Sequence, residues 1–144
     1  MARLVPGTIV MIDLDRFGEI VEERGWSEYK PNPATGLLTL LVERFVSKWQ
    51  GVVLYGLDPE RGTEEVVVEI PYVEPEELVE DLEEIRRELR RVNVTATIVA
   101  VRGYVGLKPT GDRREAYEGT PYRRLAARLL RRAKRRGGDA LIIA

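Results

Sequence analysis

Thr8-Ile9-Val10-Met11-Ile12-Asp13-Leu14-Asp15 decides how the rest of the chain is read. Its first five residues are a β-rich run, which reads as a buried strand. The strand's carboxyl end delivers two acids. Side chains two apart on a strand point to the same side, so Asp13 and Asp15 can converge on one ion. Paired acids in such a place suit a divalent cation that holds phosphates. The plainer alternative is a solvated strand end with Asp15 capping the next turn.

Outward from this strand, residues 16 to 31 are less regular, and Gly25 stops any helix there. Pro31-Asn32-Pro33 breaks the chain. Apolar residues from Leu37 to Trp49 recur at spacings of three and four, which predicts a helix over 35–49 with a broad buried face, ended by Gly51. Val52 to Tyr55 and Glu65 to Ile70 read as the strands of a hairpin whose long tip holds Asp58-Pro59 and Arg61-Gly62. Glu74 to Arg91 reads as a second helix, acidic at its start and basic at its end, as the helix dipole favours. A strand over 94–101, a loop over 103–119, a helix from Thr120-Pro121 to about Arg136 and a strand over 140–143 complete the chain.

The order β-α-β-β-α-β followed by α-β predicts an α+β fold, ferredoxin-like, with one extra helix and strand. An antiparallel sheet with helices on one face is the expected architecture. Residues 1–144 are read as one domain, and no apolar run nears the ~20 residues of a membrane span. No targeting leader is visible, so a cytoplasmic protein is expected.

The chain has no Cys and no His. Disulfides, thiolate nucleophiles, Ser-His-Asp triads and His- or Cys-based zinc sites are therefore excluded. Chemistry falls to carboxylates, Lys, Arg, Tyr, hydroxyls and backbone amides. A protein-bound metal would be a hard, oxygen-loving one such as Mg²⁺ or Mn²⁺. Charged residues make up 33% of the chain, with Gln50 the single Gln and Asn32 and Asn93 the two Asn. That balance points to a thermophilic source.

Three further segments invite a functional reading. If the central strands are adjacent, Asp58 lies near Asp13, and the two could share Mg²⁺; Asp58-Pro59 also simply starts a turn. Glu64 and Glu65 on the return strand are second-choice acids. The last helix carries Arg123, Arg124, Arg128, Arg131, Arg132, Lys134, Arg135 and Arg136 and no acid. It could bind phosphate or RNA, or be neutralised by the Glu-rich second helix within the fold or across a dimer. Gly137-Gly138-Asp139 follows that helix, where Gly is an ordinary C-cap.

Together these segments resemble the nucleotidyl cyclase or palm superfamily, which includes diguanylate cyclase (GGDEF) domains, adenylyl cyclases and polymerase palms. Asp13-Leu14-Asp15-Arg16-Phe17 is similar to the Asp-Ile-Asp-His-Phe segment after the first GGDEF strand. The resemblance implies that Asp13 and the Leu14 carbonyl bind Mg²⁺, with Asp15 as a weaker ligand. Tyr55-Gly56-Leu57-Asp58 stands where that family keeps its Gly-Gly-Asp hairpin. Ala133-Lys134-Arg135-Arg136-Gly137 resembles its closing Ala-Lys-x-x-Gly, which implies that Lys134 contacts phosphates. A closer similarity, carried by Trp26, Pro31-Asn32-Pro33 and Thr120-Pro121-Tyr122, is to archaeal GTP cyclohydrolase III, which pairs two such domains and opens the guanine ring with Mg²⁺. A single domain would restore that arrangement as a homodimer.

The resulting expectation is a Mg²⁺-dependent (or Mn²⁺-dependent) protein that binds or hydrolyses a purine nucleoside triphosphate, GTP-like. Asp13 and Asp58 would be catalytic and hold metal with Leu14 and Asp15. Lys134 and Arg16 would meet phosphates, and Asn32 or Glu22 the base. The alternatives are a palm domain that senses nucleotide without turnover and an RNA-binding ferredoxin-like module. Tyr55, Tyr72 and Tyr104 are too scattered to form the stacking platform such a module uses.

Overall fold

The computed structural model describes residues 3–27 and 29–144. Five strands form one sheet: β1 (Val5–Leu14), β2 (Val52–Tyr55), β3 (Glu65–Pro71), β4 (Ala96–Val105) and β5 (Leu141–Ile143). Their order is β2-β3-β1-β4-β5. Every pairing is antiparallel except that of β4 with β5, which is parallel. The helices are α1 (Phe17–Arg24), α2 (Pro33–Trp49), α3 (Val79–Arg91), α4 (Arg113–Glu118) and α5 (Pro121–Arg135), and a 3-10 turn over Pro75–Leu78 leads into α3. The βαββαβ core with an added αβ unit is the expected fold.

The sheet is covered on both faces, not on one as expected. Val10, Ile12 and Leu14 point to the layer that also buries Leu38 and Val42 of α2 and Leu82 and Leu89 of α3. Ile9 and Met11 point the other way, against Ala116 and Tyr117 of α4 and Ala126 and Leu130 of α5. The reason lies in the strands. β1 and β4 carry unbroken apolar runs, so each presents hydrophobic side chains to both sides and both need cover. Each fully buried Ile or Leu contributes about 1.5–3 kcal/mol.

Residues 103–119 are not simply a loop. β4 continues to Val105, and Asp112 caps α4 by accepting from the Arg114 N–H at 2.9 Å. The helix has only six residues and is held by its buried Ala116 and Tyr117. Gly103 inside β4 is required by close packing, since a Cβ there would lie 2.6 Å from the Tyr122 ring. The 16–31 segment contains α1, closed by Gly25 in the left-handed region. Asn32 caps α2, accepting from the N–H groups of Ala34 and Thr35, while its own N–H donates to the Thr35 hydroxyl. Among the described residues no helix is long and apolar enough to cross a membrane.

Candidate functional site

The acids of β1 lie on the α5 side of the sheet, because Asp13 and Asp15 share the parity of Ile9 and Met11. The two have different surroundings. Asp15 is 4% exposed. It accepts from Thr97 Oγ1 (2.6 Å), Thr95 Oγ1 (2.8 Å), the Asp139 N–H (2.7 Å) and Lys134 Nζ (3.3 Å). Burial works against the charged form, but hydrogen bonds from Thr97, Thr95 and Asp139, with the nearby Lys134 charge, outweigh it and hold the carboxyl below its ordinary value. Both oxygens are thus engaged by the protein itself.

The Gly137-Gly138-Asp139 turn wraps around this carboxylate. Gly138 has φ 70°, and a Cβ there would stand 2.5 Å from Asp15 Oδ1. Asp139 is in turn held by Arg86 and Arg90 of α3 at 3.0 and 2.8 Å. These glycines therefore do more than cap α5. They let the turn close on Asp15.

Every group around Asp15 is a donor, so Asp15→Asn places an amide N–H₂ against at least one N–H or O–H. It is expected to cost about 1–3 kcal/mol at neutral pH. The folded-state value is depressed, so Asp15 stabilises the fold above the unfolded value of 3.8 and loses that contribution as pH falls through the folded one. The gap between wild type and Asp15→Asn in urea unfolding should therefore narrow in acid. A gap that stays constant from pH 7 to pH 2.5 would contradict this role.

Asp13 is more open. Its Oδ1 lies 3.1 Å from Lys134 Nζ, which also donates to the Leu14 carbonyl at 3.1 Å. Lys134 comes from the last turn of α5, so the helix delivers one ammonium into the cluster formed by Asp13, the Leu14 carbonyl and Asp15. Burial raises the Asp13 carboxyl above its ordinary value, Lys134 lowers it, and the neighbouring Glu65 and Asp15 charges add to the rise.

The acid opposite Asp13 is Glu65, not Asp58. β3 separates β2 from β1, and Asp13 pairs in register with Glu65. Side chains of such cross-strand partners stand about 5 Å apart at Cβ. Glu65 Oε1 accepts from the Tyr117 hydroxyl at 2.6 Å and from Arg113 Nε at 2.9 Å. Burial, followed by the Glu65 hydrogen bond, pushes the Tyr117 hydroxyl far up, so it stays a donor. Asp58 builds the hairpin tip: its Oδ1 accepts from the N–H groups of Glu60 and Arg61 at 3.1 and 3.0 Å.

Two cavities flank the acid pair. One, of about 260 Å³, is lined by Phe17, Lys30, Asn32, Asp58 and Glu65 among others. The second, of about 560 Å³, holds Asp13, Arg113, Tyr117, Arg131 and Lys134. Asp13 and Asp58 thus line different cavities. Asn32 borders the first, with its side-chain carbonyl committed to the cap of α2. Glu22 is exposed on α1 and lines neither. Arg16 is exposed and pairs with Glu19 at 3.2 Å. On sequence Glu65 ranks behind Asp58, and Arg113 and Tyr117 fall inside an expected loop. The signal for Glu65 is parity counted back from Val67 and Glu69 along β3. Among the described residues no group of three acids could hold a metal.

No protein-family model matches the chain, and no curated protein matches it. Solved structures do. A bacterial light-regulated adenylyl cyclase matches with a TM-score of 0.63 and 17% identity, over 98% of this chain and 43% of its own. The diguanylate cyclase SiaD of Pseudomonas aeruginosa, solved with its activator SiaC, matches with a TM-score of 0.55 and 22% identity, over 96% of this chain and 50% of its own. A microbial GGDEF domain solved with cyclic di-GMP matches with a TM-score of 0.53 and 19% identity, over 97% of this chain and 80% of its own. The chain spans half or less of the two cyclases. These likenesses show the fold, which is that of nucleotidyl cyclase and palm domains.

Proposed function

We propose that the chain binds a purine nucleoside triphosphate of the GTP type together with Mg²⁺ or Mn²⁺ at the paired ends of β1 and β3. The observation that carries this reading is the convergence of Asp13, the Leu14 carbonyl and Lys134, with Glu65 alongside. Two carboxylates and a carbonyl oxygen form a hard donor set that suits Mg²⁺ or Mn²⁺. Asp13, Glu65 and the Leu14 carbonyl would hold the ion, which when bound would offset phosphate charge and polarise a phosphoryl or carbonyl oxygen. Asp15 serves this site from behind by fixing the end of β1.

Lys134, Arg131 and Arg113 line the larger cavity and would receive the phosphates. The smaller cavity would receive the base, where Asn32 offers its amide N–H₂ as donors. The finer reading is ring-opening hydrolysis of the GTP cyclohydrolase III type by a cytoplasmic homodimer. It is supported by the sequence resemblance and by the absence of His, which leaves carboxylates to move protons.

Nucleotide sensing without turnover is the second reading. It is favoured by Lys134, whose ammonium already supplies positive charge between Asp13 and the Leu14 carbonyl.

Titration calorimetry with GTP, with and without Mg²⁺, tests the site. Asp13→Ala is expected to abolish the Mg²⁺-dependent gain in affinity, a loss of about tenfold or more for one charged ligand. Unchanged Mg²⁺-dependent binding in that variant would remove the assignment. Chromatography of the nucleotide after incubation separates the two readings, since only the enzyme leaves a product.

A further inference from the structure

The sequence left open whether the Glu-rich helix α3 neutralises α5. Within one chain it does not, because α3 packs on the face of Val10 and Ile12 and α5 on the face of Ile9 and Met11. Three of the cations at α5 have tasks inside the fold. Arg123 pairs with buried Glu69 at 3.0 Å, Lys134 with Asp13 at 3.1 Å, and Arg124 donates to the Glu118 carbonyl at 2.9 Å. Arg128, Arg131, Arg132, Arg135 and Arg136 are exposed, and none has an ion pair or side-chain hydrogen bond among the described residues.

Such an array is unfavourable by itself, because like charges three and four apart on a helix repel. What sets α5 apart is the number of such cations on one helix with no acid among them. The acids of α4, which packs beside α5, are already engaged: Glu118 with Arg114 at 3.2 Å and Glu115 with Arg123 at 3.5 Å. The array also joins the larger cavity, since Arg131 lines that cavity beside Lys134 and Arg113. A phosphate chain lying on α5 would therefore run into the phosphate end of the nucleotide site. Every free cation in the array is Arg, whose planar fork binds phosphate oxygens in pairs.

We infer that α5 is a docking surface for the phosphodiester backbone of a nucleic acid. Recognition there is of phosphate and not of bases, because none of the free arginines has an exposed aromatic neighbour on α5 for bases to stack on. The surface goes beyond nucleotide binding and does not require turnover.

The test is fluorescence anisotropy with a labelled 20-nucleotide U-rich RNA and the matching DNA, from 50 to 300 mM KCl. With about four phosphates neutralised, log affinity should fall against log salt with a slope of about −3. Arg128→Glu/Arg132→Glu/Arg135→Glu leaves the cavity residues intact. It should weaken RNA binding at least about 30-fold and flatten the slope by about 0.7 per residue, while GTP binding and the circular dichroism spectrum stay as in wild type. RNA and DNA binding alike marks backbone recognition, and RNA alone marks a contact to the 2′-hydroxyl; both support the surface. Absent or salt-independent binding, or an unaffected triple variant, overturns it. So does salt-sensitive self-association abolished by the triple variant without RNA binding, which would assign α5 to the acidic face of a second copy. Because GTP is measured in the same variant, failure of the nucleotide site is seen separately.

Discussion

Lys134→Met is expected to move two affinities in opposite directions. In the absence of nucleotide, Mn²⁺ should bind at least about tenfold more tightly than to wild type. The nucleoside triphosphate should bind at least about tenfold more weakly. The first effect follows from position. The Lys134 ammonium lies 3.1 Å from both Asp13 Oδ1 and the Leu14 carbonyl, the atoms assigned to the ion. A divalent cation must displace it, and a hydrogen bond to a charged group is worth about 1.5–3 kcal/mol, or roughly 10- to 100-fold. The second effect follows from the loss of a phosphate ligand. A nucleotide that draws Lys134 towards its phosphates would open the oxygens for the metal, so metal and nucleotide should bind with positive coupling in wild type and much less in the variant. Manganese electron paramagnetic resonance with and without GTP reads both. If metal and nucleotide affinity fall together, Lys134 does not occupy the metal's place.

Arg123→Met is expected to cost about 3–5 kcal/mol of stability, because it leaves a buried charge without its partner. Glu69 is 0% exposed, on the central part of β3. Its Oε1 accepts from the N–H groups of Gly106 and Leu107 at 3.1 and 2.9 Å, and its Oε2 accepts from Arg123 Nε at 3.0 Å. Arg123 reaches it from the first turn of α5 and also donates to the Glu115 carbonyl at 3.1 Å. One ion pair thus joins the sheet, the turn after β4, and both helices of that face. In a domain of this size the loss corresponds to about 10 °C in melting temperature. Adding Glu69→Gln should recover more than half of it. The charge is then gone, while the glutamine oxygen can still accept from Gly106 and Leu107. A single variant within about 1 kcal/mol of wild type in urea unfolding would mean that water already reaches the pair.

How much of this could be read from residues alone varied with the kind of signal. The Thr8–Asp15 run is legible as the central strand with two acids at its end because its pattern is local. The two-sided burial of β1 is also written there, in an apolar run without alternation, whereas the element order alone suggests helices on one face. The partner of Asp13 was hidden by the long tip at residues 56–64, whose length leaves the hairpin register open. Asp58 is nearer to β2 in sequence, yet Glu65 stands opposite Asp13 in the sheet. Helix α4 was hidden by its brevity, and with it Arg113 and Tyr117, which engage Glu65. Periodicity showed that α3 and α5 each have an apolar stripe, but a stripe does not say which side of the sheet it covers.

That last placement changes what the near-neutral charge of the chain means. The formal net charge is −1, which suggests a molecule indifferent to fields. With the acidic stretch at residues 74–84, which leads into α3, on one side of the sheet and the arginines of α5 on the other, charge is instead separated across the sheet. It will turn before it touches anything charged, offering α5 to anions and the acidic start of α3 to cations. Its orientation on approach is thus set by the two faces, while its total charge says almost nothing about it.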